Sequence, residues 1–379
     1  MSSSQRAKKA ISPRLPNEII TEIIQATAKK DRACLCRVSK LFHGLGLLVV
    51  NRTVRLSHYA SASGFCSGII ANPDRGLAIR SFTVLCIEDP WPDLQVDDAV
   101  TLSHLLIEAM KSMSGVEQLY IDPYVLLQPY RFTLLELSFP RLLVVDIGPP
   151  DSNRDLESSP VLDRVASFLA RHPTLTRVRV SARGLRHPPS LSVRIPLPNL
   201  QYFDGTSALV SSLIVRGLRG AAISWDPCDK PAIEIDKIIR TLSLLTTPEI
   251  PFFSSHDYRP GFAKYIVAAV SKHIPHTRTF HLRSATFRQL ELLGAETSHC
   301  MMTCLPRFTC LRYFAMDRVL DIAWDDEEDR VTVEGWGSAC STLEACCLNN
   351  RAWKKIDGGW DVYSMADFRV QAGLIKGVH

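Results

Sequence analysis

A short apolar unit of the form L-x-x-L-x-L recurs along this chain, and it constrains the fold more than any other feature. The last two L positions are two residues apart, a spacing that places side chains on one face of a strand. The units are Ile79/Phe82/Val84, Val116/Leu119/Ile121, Leu142/Val145/Ile147, Leu175/Val178/Val180, Leu200/Phe203, Thr277/Phe280/Leu282, Leu311/Phe314/Met316 and Leu343/Cys346/Leu348. Each unit predicts a short strand with one buried face.

Prolines and helical segments separate these units. Pro140, Pro173, Pro198 and Pro275 each stand two residues before a unit, where they end the preceding segment and favour extended backbone. Between units, apolar residues fall at helical spacing and predict amphipathic helices. These segments are Val100/Leu105/Leu106/Ala109/Met113, Val161/Leu162/Val165/Phe168/Leu169, Ile235/Ile238/Ile239/Leu242 and Phe262/Tyr265/Ile266/Ala269/Val270.

The spacing of the units predicts a repeat architecture. Starts at 116, 142, 175 and 200 are 26, 33 and 25 residues apart, and those at 277, 311 and 343 are 34 and 32 apart. Such periods fit one strand and one helix per unit of an irregular leucine-rich-repeat-like α/β solenoid, expected over 48–350. The stretch 205–260 is too degenerate for strands to be placed. Strand–helix alternation alone would also suit a doubly wound α/β sheet.

Residues 15–45 carry a different pattern, that of a short helical unit. Leu15-Pro16 opens it, since proline suits a first helical turn. Asp31 is the predicted N-cap of a second helix, which Gly44 and Gly46 are predicted to end. The apolar positions are Ile19, Ile20, Ile23 and Ile24 in the first helix, and Leu35, Val38, Phe42 and Leu45 in the second. Two short one-sided helices build little core alone, so they require either the rest of the chain or a partner.

Positive charge is concentrated at the amino terminus. Residues 1–40 hold nine Lys and Arg against three acids, a net charge of +6, although the whole chain carries only +5. A basic segment of this kind attracts an acidic partner. Residues 1–11 are expected to be a disordered basic tail.

Composition and motifs exclude several classes. No apolar run approaches the ~18–20 residues that span a bilayer, and the polar start lacks the apolar stretch of a secretory signal. The cytoplasm or nucleus is therefore expected, and eleven cysteines without framework spacing indicate reduced thiols. Cys300, Cys304 and Cys310 near His299 lack the paired spacing of a zinc site. We expect no metal, no cofactor, no membrane or nucleic-acid partner and, for want of a catalytic motif, no enzymatic activity.

The amino-terminal unit closely resembles an F-box. The resemblance rests on Leu15-Pro16-Asn17-Glu18-Ile19-Ile20-Thr21-Glu22-Ile23-Ile24, followed by Leu35-Cys36-Arg37-Val38-Ser39-Lys40-Leu41-Phe42. Further segments are similar to the F-box proteins of mushroom-forming fungi. They are Asn51–Leu56, Ile79–Val84, and Trp336, Cys340-Ser341-Thr342-Leu343-Glu344, Trp353 and Gly359-Trp360 near the end. By this resemblance the chain divides into the tail 1–11, an F-box unit 12–47, a solenoid 48–350 and a carboxy-terminal cap 351–379.

The resemblance also implies a function. An F-box binds an acidic Skp-type adaptor, which bridges to a cullin scaffold and so to a ubiquitin-conjugating enzyme. The implied adaptor-binding residues are Leu15, Pro16, Ile19, Ile20, Ile23, Leu35, Val38 and Phe42. The strand side chains between the L positions would then hold an unknown protein substrate, with Tyr120, Arg177, Arg179, Tyr202, His281 and Tyr313 as candidates. A single copy of the chain is expected in the complex.

Two other readings stay open from the sequence. The first is a repeat-type protein-binding scaffold with no ubiquitin role, in which the helical stripe packs on the chain's own repeats. The second is an unrecognised α/β enzyme, which requires a deep pocket with convergent titratable groups.

Overall fold

The computed structural model describes residues 15–85, 96–122, 128–147, 159–180, 193–225, 230–258, 261–284, 295–317 and 326–374, and every structural statement below concerns these residues. The predicted tail 1–11 lies outside them. Within these ranges, no helix combines the length and the apolar character that crossing a membrane requires.

A thirteen-stranded sheet organises the chain. Its first eleven strands, from β1 to β13 without β6 and β8, run parallel, and β14 and β15 join antiparallel at its end. Its strands are β1 Thr53–Leu56, β2 Ser81–Val84, β3 Gln118–Ile121, β4 Val144–Ile147, β5 Arg177–Val180, β7 Tyr202–Thr206, β9 Gly220–Ser224, β10 Phe252–Tyr258, β11 Thr277–Ser284, β12 Tyr313–Asp317, β13 Ala345–Leu348, β14 Arg351–Ile356 and β15 Gly359–Tyr363. A second sheet pairs only β6 Ile195–Pro196 with β8 Leu213–Ile214.

The helices alternate with the strands along the chain. They are α1 Asn17–Ala26, α2 Lys29–Leu35, α3 Lys40–Val50, α4 Tyr59–Ala71, α5 Asp74–Leu77, α6 Val96–Lys111, α7 Gln128–Leu134, α8 Ser159–Ala170, α9 Ser207–Val210, α10 Pro231–Ser243, α11 Ala263–His273, α12 Ala295–Cys304, α13 Asp326–Ala339 and α14 Met365–Gln371. The four predicted amphipathic segments coincide with α6, α8, α10 and α11, which confirms them.

The apolar units predicted from the sequence align with one another across the sheet. All eight predicted units form strands, and their middle positions are direct neighbours across the sheet. That ladder runs Val54, Phe82, Leu119, Val145, Val178, Phe203, Ala221, Ser254, Phe280, Phe314 and Cys346. Its side chains are buried in one continuous core with those of α4, α6, α8, α10, α11 and α13. Parallel strands whose equivalent positions align repeat the same burial from strand to strand.

The order of strands is that of the sequence. Every strand of the large sheet pairs with the strand that follows it in that sheet, without reversal. A doubly wound sheet reverses its strand order at a switch point. The described residues therefore form an α/β protein with a large, mostly parallel sheet of sequential order.

Strands β9 and β10 occupy the stretch where the sequence allowed no strand to be placed. The reason is chemical. On β10 the two ladder positions are filled by Ser254 and His256, both fully buried, where β11 has Phe280 and Leu282. Polar residues at core positions break the apolar alternation that marks a strand.

The amino-terminal unit contains three helices rather than two. The chain breaks between α2 and α3, where Ser39 adopts extended backbone and its Oγ accepts a hydrogen bond from the N–H of Phe42 at 3.2 Å. Serine is thus the N-cap of α3. The predicted N-cap at Asp31 is wrong, because α2 already begins at Lys29 after Ala28.

The predicted helix end at Gly44 and Gly46 is also wrong, since α3 continues to Val50. Gly46 has a packing role instead. A Cβ atom at this position would lie 2.3 Å from Sγ of Cys36, so the absent side chain lets α3 approach the end of α2.

Candidate functional site

The amino-terminal unit has its own small core. Ile20, Ile24 and Val49 are buried in it, and Leu35, Phe42 and Leu45 pack against them half-buried. This cluster shares no member with the main core of the sheet and helices. Three of the predicted adaptor-binding residues, Ile20, Leu35 and Phe42, therefore stabilise the unit from inside.

The other predicted adaptor-binding residues face outward. Leu15, Ile19, Ile23 and Val38 are 55%, 40%, 42% and 67% exposed, and Pro16 is exposed as well. Ile19 and Ile23 are four residues apart, so they lie on one side of α1, and Leu15 precedes that helix. Val38 lies in the turn between α2 and α3. We call Leu15, Pro16, Ile19, Ile23 and Val38 the outer apolar face.

Arg32 fixes the angle between α1 and α2. Its Nε donates to the carbonyl oxygen of Thr27 at 3.0 Å and its Nη2 to that of Gln25 at 2.8 Å. These carbonyls lie at the carboxyl end of α1, where the helix leaves acceptors unpaired and favours positive charge. One member of the basic segment is thus a structural cap.

The sheet face opposite the main core carries a mixed row of polar and charged side chains. All six predicted substrate-binding residues lie on strand positions of this open face. Arg177 lies over the ring of Tyr202, with 5.2 Å between its guanidinium carbon and the ring centroid. Tyr120 is half-buried two strands away, and burial raises its pKa. The structure brings Arg177 and Tyr202 into contact and places Tyr120 on the same face, on β3.

Arg179 joins three strands of the same face. Its Nη1 lies 3.0 Å from Oδ2 of Asp146 on β4, and its Nε lies 3.1 Å from Oδ2 of Asp204 on β7. Asp146, Arg179 and Asp204 are direct neighbours in the register. All three side chains are only partly exposed. Each ion pair therefore contributes more to the free energy of folding than a fully exposed pair, although solvent still screens it.

A second polar cluster lies further along the sheet, on β10 to β12, and β9 separates it from the first. Oγ of Ser255 is 3.1 Å from Nδ1 of His281, whose Nε2 is 2.9 Å from Oδ2 of Asp317. Burial alone would raise the pKa of Asp317, but the hydrogen bond and charge of His281, together with the Cys347 thiol and the charge of Arg369, lower that pKa. Beside this chain, Arg283 makes a two-pronged hydrogen-bonded pair with Asp257.

The Ser255–His281–Asp317 chain has the residue types of a nucleophile, a base and an orienting acid. Ser255 and His281 are nevertheless buried. The strand that carries Ser255 is paired on both sides, with β9 and β11, so its backbone amides are engaged in the sheet instead of being presented to an oxyanion. The chain therefore connects three strands by side-chain hydrogen bonds.

Tyr313 lies on the open face as predicted but is covered. Helix α14 crosses this face at its carboxy-terminal end, and Phe368 meets the Tyr313 ring edge-on at 6.4 Å between centroids. Ala315, Ala345, Cys347 and Phe368 are buried with it in a separate cluster. Tyr313 thus stabilises the docking of α14, and in this conformation it does not reach a ligand.

The cysteine cluster near His299 is dispersed. Cys300 and Cys304 lie one turn apart on α12 with 3.8 Å between their Sγ atoms, whereas Cys310 donates to the carbonyl oxygen of His276. Among the residues that the structure describes, no group of three His, Cys, Asp or Glu side chains is arranged to hold a metal ion.

Sequence reasoning missed Ser255, Asp257 and Asp317 on the open face. The first two lie on β10. The inward-facing residues of that strand, Ser254 and His256, are polar, so its sequence lacks the apolar alternation that predicts a strand. Had β10 been recognised, the alternation Phe253, Ser255, Asp257 would have identified the outward side chains.

No model of a known protein family matches the chain, and a search of curated proteins found no match either.

Proposed function

We propose that this chain is a non-catalytic F-box protein, the substrate-recognition subunit of a Skp–cullin–F-box ubiquitin ligase. The amino-terminal unit would bind the Skp-type adaptor and the repeat domain would bind a protein substrate. The observation that carries the proposal is the outer apolar face, which the unit leaves exposed although its own core is filled by other side chains.

The different burial of adjacent isoleucines in α1 supports docking. If the stripe only stabilised the chain, its isoleucines would all point inward. Instead Ile20 and Ile24 are buried while Ile19 and Ile23, each one residue earlier, are exposed. Exposed apolar side chains grouped on one small unit are typical of interfaces, where burial of each contributes about 1.5–3 kcal/mol when complete.

The rest of the chain supplies the surface that would bind the substrate. In the proposed assembly the sequentially ordered strands correspond to the irregular leucine-rich-repeat-like solenoid, and their open face takes the substrate. The polar and aromatic side chains around Arg177, Arg179 and Tyr202 have the composition of a protein-binding surface. Catalysis would come from proximity, since holding a substrate lysine near the conjugating enzyme raises its effective concentration.

The test is co-elution with a Skp-type adaptor after co-expression. We expect the wild-type chain to co-elute and the Ile19→Asp and Val38→Asp variants to lose at least tenfold in affinity, because a charge would be desolvated at each contact. Both positions are exposed, so the variants should fold. Leu244→Asp is the matched control, since Leu244 is also exposed but lies at the end of α10.

Two results would contradict the proposal. A wild-type chain that does not bind any Skp-type adaptor removes the ubiquitin role and leaves the repeat-type protein-binding scaffold. A doubly substituted chain that still binds shows that the outer apolar face is not the docking surface.

A further inference from the structure

A depression of about 450 Å³ lies at the amino-terminal rim of the sheet, where β4, β5, β7 and β9 begin. Its lining combines two arginines, Arg216 and Arg219, with the polar side chains of Thr176 and Gln201 and the apolar side chains of Leu143 and Ile250. None of these residues belongs to the proposed adaptor-binding unit or to the open face.

Backbone hydrogen bonds connect each rim residue to the next, and two rim arginines elsewhere in the sheet lie beside a glutamate. Arg80 lies 3.6 Å from Glu117 on the next strand, and Arg312 lies 3.3 Å from Glu344. These two ion pairs neutralise the charges of Arg80 and Arg312.

Arg219 has no acidic neighbour of this kind. Its backbone neighbour on the rim is Gln201, whose carbonyl oxygen accepts the N–H of Arg219 at 2.8 Å. Gln201 carries no charge. Across the described part of the chain, no ion pair joins the Arg219 or Arg216 guanidinium to a carboxylate, and both residues are exposed. Two cationic side chains thus line one depression without an internal counter-charge.

The backbone places the two arginines on the same depression. Gly217 between them has a φ of +78°, a conformation that residues with a side chain rarely adopt. This bend lies three residues before β9. The acid next to the lining residue Ile250 is Glu249, and its charge acts on His276.

We propose that this depression binds an acidic peptide segment, with Arg216 and Arg219 holding its carboxylate or phosphate groups. Guanidinium groups match the geometry of both oxyanions. Leu143, which is 39% exposed, and Ile250 would contact an apolar side chain beside the acid. The volume suits a few side chains of a peptide. The inference rests on the proposed function in one respect, because it assigns this peptide to the substrate.

The experiment uses the full-length chain and random twelve-residue peptides displayed on phage, selected at low ionic strength. We expect Asp and Glu to be enriched on the wild-type chain and the enrichment to disappear on the Arg216→Glu/Arg219→Glu double variant. Arg75→Glu is the matched control, since Arg75 is an exposed arginine on α5 away from the depression. It should retain the enrichment.

The best peptide is then synthesised with Glu, Gln or phosphoserine at its acidic positions, and its binding is measured by fluorescence anisotropy. The Glu form should bind at least tenfold more tightly than the Gln form, and salt should weaken it because exposed charges are screened. If the phosphoserine form binds more tightly than the Glu form, the natural ligand is a phosphorylated segment. If the Glu form binds more tightly, the natural ligand carries carboxylates.

Selection without acidic preference, or equal affinity of the double variant for the Glu peptide, overturns the inference. So does an oligothymidine strand that binds the depression when no peptide does, since the partner would then be a nucleic acid. These outcomes are separate from adaptor co-elution. A chain that binds the acidic peptide but no adaptor is a scaffold, and one that binds the adaptor but no acidic peptide recognises its substrate elsewhere.

Discussion

The indole N–H of Trp225 donates to Nδ1 of His256 at 3.1 Å, and this bond determines which nitrogen of a fully buried histidine carries the proton. Because Nδ1 is the acceptor, the neutral ring has its proton on Nε2, which donates to Oγ of Ser254 at 2.8 Å. His256 occupies the core position that Leu282 fills on the next strand. Its polar groups are therefore satisfied within the core.

This arrangement predicts that the free energy of unfolding falls as the pH is lowered. Burial lowers the pKa of His256 to about 3 from its ordinary value of 6.5. Between these values the unfolded chain binds a proton that the folded chain does not. The stabilisation is thus complete above pH 6.5 and is lost toward pH 3, by about 1.4 kcal/mol per pH unit. Burial also lowers the pKa of His172, with the same sign.

Urea unfolding at about pH 7.5 and about pH 5.5 measures the effect. His256→Phe should be less stable than the wild type at the higher pH, since Trp225 loses its acceptor, but its stability should fall less between the two. His43→Gln, which removes an exposed histidine, should leave the difference unchanged. If His256→Phe and the wild type lose the same free energy of unfolding between the two pH values, His256 is not the source of the pH dependence.

Two glycines of α3 should respond in opposite ways to alanine. Gly46→Ala places a methyl group against Sγ of Cys36 and should cost about 1–3 kcal/mol through overpacking. Gly44→Ala meets no atom within 4 Å and should stabilise the helix by up to about 1 kcal/mol. The rate of proteolysis within residues 15–50 reports both. Equal rates for the two variants would show that the approach of α2 and α3 is not tight.

Two glycines of α13, Gly335 and Gly337, allow the same comparison of alanine substitutions at the carboxy-terminal end. A Cβ atom on Gly337 would lie 2.4–2.7 Å from atoms of the Trp360 ring, which is rigid, so Gly337→Ala should lower the thermal midpoint. Gly335→Ala meets only Met302 at 3.7 Å and should leave the midpoint unchanged or raise it. If Gly337→Ala is as stable as Gly335→Ala, the hairpin of β14 and β15 packs more loosely than described.

Phe368→Ala should release α14 from the open face. Phe368 is fully buried against Tyr313, and removing such a ring costs about 3–5 kcal/mol. We expect labelling of Cys347, whose pKa is raised by burial, to accelerate at least tenfold, as followed by mass spectrometry of that peptide. Val370→Ala removes an exposed side chain of the same helix and should label like the wild type. Unchanged labelling in Phe368→Ala would mean that other contacts hold α14.

Apolar spacing located most of the secondary structure. The units at Phe82, Leu119, Val145, Val178 and their later equivalents all formed strands, because alternation reports which face of a segment is buried. It failed on β10, where Ser254 and His256 are buried as polar residues with partners. It also failed at Ser39, where a local cap splits one predicted helix into two. Both failures arise from hydrogen bonds that periodicity does not register.

The sequence alone therefore determined where eight strands of the large sheet lie, which of their side chains enter the core, and that the amino-terminal unit differs from the rest. Only the tertiary structure decided how individual side chains are used. It buried Ile20 and exposed Ile19, covered Tyr313 with α14, and left Arg219 beside Gln201, whereas Arg80 and Arg312 lie beside glutamates. The reason is that periodicity reports which face of a strand enters the core, whereas the cover over a single side chain and the partner of a charge come from residues that lie tens of positions apart in the sequence.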